Sequence, residues 1–207
     1  GARLALDRFA AVAKKLGLGQ KTGVDLPGEK SGLIPDSKYM NDRYGKNGWG
    51  PGALLNHAIG QGEVLTTPLQ MAELYAALGS GLMTEPHLLA ESVDPEGKRT
   101  AREEGTRRPV PLSEEILRPV REGVIRAVEG DRGTGRSARV PEVLVAGKTG
   151  TAQNPHGNDH SWFAAWAPAV RPRIALAVIV ENAGHGSEVA APIAGDLLRY
   201  WFGREEI

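Results

Sequence analysis

Apolar residues recur at spacings of three and four from Leu6 through Phe9 and Ala13 to Leu16, the period of an amphipathic helix. Gly17 stands where a glycine commonly ends one, so the spacing predicts a helix over 3–16. Over 19–56 the period disappears and glycine and proline become frequent. That stretch is expected to run as a long loop that wraps the surface or covers a cleft, anchored by Tyr39, Tyr44 and Trp49. Periodicity returns at Thr67-Pro68-Leu69-Gln70, where a threonine N-cap, a proline at the first helical position and a glutamine closing a capping box predict a helix to about Leu78. Its apolar residues, among them Leu69, Met71, Leu74, Tyr75 and Leu78, cover most of the circumference, the pattern of a buried central helix.

Beyond a glycine-rich break at 79–81, a turn at Pro95-Glu96-Gly97 predicts an exposed hairpin. Ser113 opens a helix expected to carry Ile116, Val120, Val124 and Ala127 inward and to stop at Gly130. Pro119 is expected to kink it, since an interior proline costs about 3 kcal/mol in a straight helix. Three strands follow, one around Lys148 and two over 161–167 and 173–180. The five residues from Pro168 to Pro172 are short enough for an antiparallel hairpin. A last helix, ending near Phe202, is expected to turn Val189, Ile193, Leu197 and Tyr200 to the core. Strands clustered late and flanked by helices give an α+β domain with an antiparallel sheet.

The 207 residues suffice for one domain with a substantial core. Lys and Arg number 25, as do Asp and Glu, so no global field favours nucleic acid or an anionic membrane surface. The absence of cysteine excludes disulfides, thiolate catalysis and cysteine-ligated metals. No apolar run approaches the 18 residues or so that a membrane span requires.

Val145 to Gln153, reading VAGKTGTAQ, has the make-up of a strand that brings an ammonium, two hydroxyls and an unobstructed backbone edge together. Alternation sends Lys148 to one face and Thr149 and Thr151 to the other, while Gly150 lets another backbone come close. Taken alone, Lys148-Thr149-Gly150 reads equally as a strand end with a solvent lysine. A phosphate-binding loop would need glycine in place of Glu142, so that match fails. His156 and His160 flank Asp159 in a polar loop without an evident third ligand, and no metal or cofactor is expected. Trp162 and Trp166 share a strand face and read as core, with Trp162 able to border a pocket. Gln61, between two glycines, reads as part of a structural turn.

The Lys-Thr-Gly triplet resembles the corresponding element of penicillin-recognising serine enzymes. Thr22-Gly23-Val24-Asp25-Leu26-Pro27-Gly28-Glu29, Ile59-Gly60-Gln61-Gly62, Thr66-Thr67-Pro68-Leu69-Gln70-Met71, Gly133-Thr134-Gly135 and Val180-Glu181-Asn182-Ala183-Gly184 extend the likeness. Together they resemble the C-terminal part of a class B penicillin-binding transpeptidase of the penicillin-binding protein 2 type, over essentially all of 1–207. The departure is equally specific: no serine is followed three residues later by lysine, so the family's Ser-x-x-Lys nucleophile is absent. Ser92-Val93-Asp94 formally matches the family's second element, yet it lies beside the predicted hairpin turn.

The resemblance implies a serine-type peptidoglycan D,D-transpeptidase acting on stem peptides that end in D-Ala-D-Ala, with the nucleophile outside this chain. The Thr151 backbone N–H would be an oxyanion donor, and the Thr149 and Thr151 hydroxyls would hold the peptide's terminal carboxylate. Lys148 would raise the positive potential and assist proton movement, and Gly150 would leave room for substrate backbone. It further implies β-lactam antibiotics as trapping ligands, the missing N-terminal part of the same protein as a partner, and a membrane glycan polymerase of the elongation type. The place of action would be the outer face of the bacterial cytoplasmic membrane, reached by an N-terminal tethering helix. The family's sheet has five strands, so the strand over 173–180 is expected to be an uncovered edge. Two other readings stay open: a non-catalytic binding module of the same fold, and a β-lactamase-like hydrolase, for which no deacylating base stands out.

Overall fold

The computed structural model describes residues 5–103 and 105–204. The order of elements is α1 (Leu6–Lys15), α2 (Ser37–Tyr44), α3 (Pro51–Ala58), α4 (Pro68–Ser80), β1 (Leu82–Thr84), β2 (Glu91–Val93), β3 (Arg99–Ala101), β4 (Arg107–Pro109), α5 (Glu114–Glu129), β5 (Ala146–Ala152), β6 (His160–Ala167), β7 (Ile174–Val180) and α6 (Ala190–Gly203). The principal sheet is antiparallel with order β5-β6-β7, so an α+β architecture stands as read from the sequence. Its first predicted residues, 3 and 4, lie outside the described ones; the helix ends with Gly17 at φ 92°.

Alternation along β6 builds two cores. Phe163, Ala165 and Ala167 face α6, packing with Ala190, Ala191, Ala194 and Leu198. Ala164 and Trp166 face the other way, against Tyr75 and Leu78 of α4 and Leu117 of α5. The Tyr75 and Trp166 rings sit 6.0 Å apart, tilted, a favourable aromatic geometry. Register Lys148↔Ala164↔Ala177 and Thr149↔Phe163↔Val178 then fixes which face each β5 side chain leaves from.

The capping box of α4 forms as expected: Gln70 N donates to Thr67 Oγ1 and Thr67 N donates to Gln70 Oε1. The same buried glutamine donates through Nε2 to Gln20 O and Ser31 O, which ties the 19–36 segment to the helix. Around that helix burial is less complete than predicted, with Gln70, Tyr75, Ala77 and Leu78 buried and most of the rest half-buried. Burial pushes the Glu73 carboxyl on α4 up to about 7, with the Glu29 carboxylate adding to the rise.

Several expectations need correction. The 19–56 stretch contains two short helices, α2 and α3, because Asp36 accepts from Tyr39 N as an N-cap and Pro51 starts α3. Met40 and Ile34 are its buried anchors, whereas Tyr39 and Trp49 are half-buried and Tyr44 is exposed; Tyr44 and Trp49 hold through hydrogen bonds to Glu63 and Asn41. In α5 the inward positions are Leu117 and Val128, while Ile116 and Val120 are exposed. The true stripe, Leu117, Arg121, Val124, Val128, was hidden by an arginine whose Nε donates to Leu78 O. That helix runs as one element through Pro119, which lies on its exposed face.

In α6 the buried face consists of Ala190, Ala191, Ala194, Gly195 and Leu198, and Ile193, Leu197 and Tyr200 are exposed. Close approach explains much of the reversal: a Cβ on Gly195 would stand 2.6 Å from Ser137 O, so small residues face the body along the first turns and Leu198 is the large side chain buried beyond them. β7 pairs only with β6, leaving the other edge without a strand among the described residues. This is the uncovered edge that the sequence led one to expect.

Candidate active site

β5 begins in the core and ends in the open. Val145, Ala146 and Gly147 are buried, and Val145 N donates to Glu129 Oε1 at 2.9 Å. A Cβ on Gly147 would meet the Phe163 ring at 2.6 Å, so only glycine lets the strand pass there. From Lys148 onward the strand becomes accessible, and among the described residues it pairs with β6 alone.

Other parts of the chain hold this accessible half in place. Gln61 Nε2 donates to Thr151 O at 2.7 Å, and Gln153 N donates to Gln61 Oε1 at 3.2 Å. Gln61 is therefore a clamp across 90 residues as well as part of a turn. Thr134 and Thr149 share a hydrogen bond between their hydroxyls, 2.7 Å apart. Gly186 lies flat against the strand: a Cβ on it would stand 2.4 Å from Gly150 O and 2.3 Å from Trp162 O. That approach rests on the missing side chain of Gly186 itself; a Cβ on Gly150 would meet the Trp162 side chain, at 3.1 Å. Ser161, fully buried, fastens that loop by donating to His185 O and accepting from Ala190 N, each at 3.0 Å.

Lys148 and Thr149 leave β5 on opposite faces, yet the lysine ammonium turns back along the strand to donate to Thr149 O at 2.9 Å and Thr149 Oγ1 at 3.2 Å. A strand with no neighbour on that side leaves space for such a turn. The result is one ammonium and two hydroxyls within hydrogen-bond reach of each other at an accessible strand edge. Such a group suits a carboxylate, since charge-assisted hydrogen bonds to an anion are roughly twice as strong as neutral ones.

A cavity of about 520 Å³ runs along Lys148, Thr149, Gly150, Thr151 and Ala152. Its remaining wall is largely apolar, from α1, α4, β6 and β7, and Trp162 borders it. His57, fully buried, lines it too; its Nε2 lies 2.6 Å from Glu63 Oε2, and its Nδ1 has no partner among the described residues. The Tyr44 hydroxyl donates to Glu63 Oε1 at 2.5 Å. That bond, ahead of the His57 ring and against the effect of burial, holds the Glu63 carboxyl below its ordinary range.

Among the described residues, no serine lines this cavity or the smaller notch beside it. Ser92 sits on β2 opposite Thr100, exposed. His160 Nδ1 accepts from Asn182 N, while His156 is exposed in the loop. No group of three or more His, Cys, Asp or Glu is placed to hold a metal ion among the described residues. The structure thus brings Lys148, Thr149, Gly150 and Thr151 to one cavity. Thr134, Gln61 and Gly186 support them, contacts that separations of 15 to 90 residues conceal from local pattern.

The family profile described as penicillin binding protein transpeptidase domain matches residues 1–199. The peptidoglycan D,D-transpeptidase MrdA of Acinetobacter baumannii is 34% identical over 224 residues, covering 96% of this chain and 31% of that protein. Penicillin-binding protein 2 of Pseudomonas aeruginosa, solved with WCK 5153, superposes with a TM-score of 0.80 at 34% identity, covering 97% of this chain and 43% of that one. Penicillin-binding protein 3 of Mycobacterium tuberculosis, solved with ampicillin, does so at 0.79 and 32%, covering 97% and 46%. The chain spans about a third of the length of the curated relatives it matches. No helix among the described residues is long and apolar enough to cross a membrane.

Proposed function

The chain belongs to the penicillin-binding protein transpeptidase family, and from that premise we propose that residues 1–207 form the C-terminal portion of one transpeptidase domain of a peptidoglycan D,D-transpeptidase. The observation that carries this reading is the cluster of the Lys148 ammonium with the Thr149 and Thr134 hydroxyls at an accessible strand edge that lines the main cavity. In this reading the cluster is an anion grip, and the nucleophile is supplied from outside these residues.

In the proposed reaction, that serine oxygen attacks the carbonyl carbon of the penultimate D-alanine of a stem peptide. The C–N bond breaks, the last D-alanine leaves with the serine proton, and an ester remains. An amine on a second stem peptide attacks the ester carbon, restoring the serine and closing the cross-link. The Thr151 backbone N–H serves as one oxyanion donor, a contribution whose removal typically costs about 10²–10³ in rate. Thr149 and Thr151 hydroxyls hold the terminal carboxylate of the donor. Lys148 keeps the local potential positive and assists proton movement, and Gly150 admits the substrate backbone as an added strand.

β-Lactams acylate the same serine in this reading, as donor mimics. The place of action is the outer face of the bacterial cytoplasmic membrane, with a tethering helix outside these residues and a membrane glycan polymerase as partner. Incubating the full-length protein with a fluorescent penicillin, followed by peptide mass mapping, tests the proposal. The expected result is one penicilloyl group on a serine outside 1–207. Absence of any adduct would overturn it and leave a binding module.

A further inference from the structure

A side chain already occupies part of the open edge of β5. Gln61 Nε2 donates to Thr151 O at 2.7 Å, and Gln61 Oε1 accepts from Gln153 N at 3.2 Å. These are the two groups that a further strand laid along β5 would engage on either side of Ala152, since a C=O and the N–H two residues on point to the same edge. One primary amide, with its donor and its acceptor, stands in for a strand residue there.

The turn that presents Gln61 is held on both sides. Gln61 N donates to Asn56 O at 2.9 Å and Gly60 N donates to His57 O at 3.0 Å. His57 Nε2 lies 2.6 Å from Glu63 Oε2, a contact that ties the two ends of the turn together. Gly62, with φ 70°, is pressed against the same ring: a Cβ on it would stand 3.2 Å from the His57 imidazole. Leu33 and Leu65 bridge just beyond. An amide carried on so restrained a turn has little freedom left to lose by staying on the strand.

In the proposed reaction the donor's terminal carboxylate lies at Thr149 and its scissile carbonyl at Thr151 N. The residues before the scissile one would then continue along the edge towards Gln153. At Thr151 O the second lone pair still accepts the N–H of the scissile residue, whereas Gln153 N has a single proton to give and Gln61 takes it. We infer that Gln61 is a specificity-determining residue that ends the usable edge at Thr151, so that β5 pairs with the penultimate D-alanine alone and the donor backbone before it is turned off the strand. The inference rests on the transpeptidase reading and limits how much of the donor the strand reads. Donors gain from their C-terminal end and not from backbone length.

The test uses the full-length protein and two thioester donors that share a D-alanyl thioglycolate end. One is acetylated on that D-alanine, and the other carries two L-alanines and then the acetyl group. In both, the serine oxygen attacks the carbonyl carbon, the C–S bond breaks and the thiol leaves with the serine proton, so thiol release reports acylation. The ratio of the two acylation rates, long donor over short, is expected to stay near unity in the wild type. In Q61A it is expected to rise about three- to tenfold, the scale of one neutral hydrogen bond, as Gln153 N becomes open to the longer donor. A role confined to holding β5 would slow both donors alike and leave the ratio where it was, which would overturn this inference alone. A wild-type ratio that already shows the gain would overturn it without any variant. Failure of the wild type to form an acyl-enzyme with either donor would overturn the transpeptidase reading and this inference with it.

Discussion

Two strands of this chain match short catalytic motifs, Lys148-Thr149-Gly150 on β5 and Ser92-Val93-Asp94 on β2, and the fold treats them in opposite ways. β5 enters from a buried stretch and is held by Gln61, Thr134, Glu129 and the Gly186 loop. β2 and β3 form a two-stranded ribbon whose residues are all exposed, closed by a turn in which Lys98 N donates to Asp94 Oδ1. A two-stranded ribbon is marginal on its own; its cross-strand pair is Arg99 with Glu91, and no hydrogen bond among the described residues holds the Ser92 hydroxyl to the precision that catalysis needs. The difference teaches that a motif gains chemical meaning from the contacts that restrain it.

The comparison can be broken most severely at Gly186. Gly186→Val places side-chain atoms against Gly150 O and Trp162 O, backbone that cannot yield. It is expected to destabilise the protein by about 1–3 kcal/mol and to slow penicillin acylation well beyond that, with thermal melting and labelling rates as the readouts. Gln61→Ala removes one hydrogen bond to Thr151 of β5 and one to Gln153 just after it. A loss of about 1–2 kcal/mol is expected, with the increase in amide hydrogen exchange concentrated at 150–153 and absent from the β2–β3 ribbon.

A pH titration sharpens the contrast on the α4 side, which packs against β6 but not against the ribbon. The Glu73 carboxyl is raised in the fold from 4.5 to about 7, so the folded state binds its proton more tightly than the unfolded state does. Stability from this group is then present below about pH 4.5 and is lost as pH rises through about 7. Melting temperatures of Glu73→Gln should show a flatter course over that interval and a higher value above it than the wild type. At the small end, Ser92→Ala should leave both stability, within about 0.5 kcal/mol, and acylation unchanged. A large loss of acylation there would remove the distinction between the two strands.

Much of this arrangement was legible in the chain. The capping box at Thr67, the strand around Lys148 and the hairpin of β6 and β7 follow from local rules of capping and alternation. The orientation of α5 and α6 did not. Arg121 interrupts the inward stripe of α5 because it serves the Leu78 carbonyl, and α6 buries alanines and glycine along its first turns because its partner backbone comes too close for larger residues. Hydrophobicity alone ranks Leu197 and Tyr200 above Ala194 as core, whereas contact distance reverses the order.

At the site, the type of chemistry was readable from Lys148 to Thr151, and its supports were not. Gln61 and Thr134 act at separations of 90 and 15 residues, which no local period encodes. The Gly-Thr-Gly and Gly-Gln-Gly stretches carried the only signal, glycines bracketing a single polar residue. The turn of Lys148 back to Thr149 also escapes alternation, because a lysine stem is long enough to fold along an unoccupied strand edge.

The most direct test of the central claim is the second-order rate of penicillin acylation of the full-length protein carrying Thr149→Val, compared with the wild type at equal stability. Loss of the hydroxyl that meets Lys148 and Thr134 is expected to lower that rate about ten- to a hundredfold, the worth of one hydrogen bond to a charged group. An unchanged rate in a folded variant would show that β5 does not hold the ligand's carboxylate, and would contradict the account.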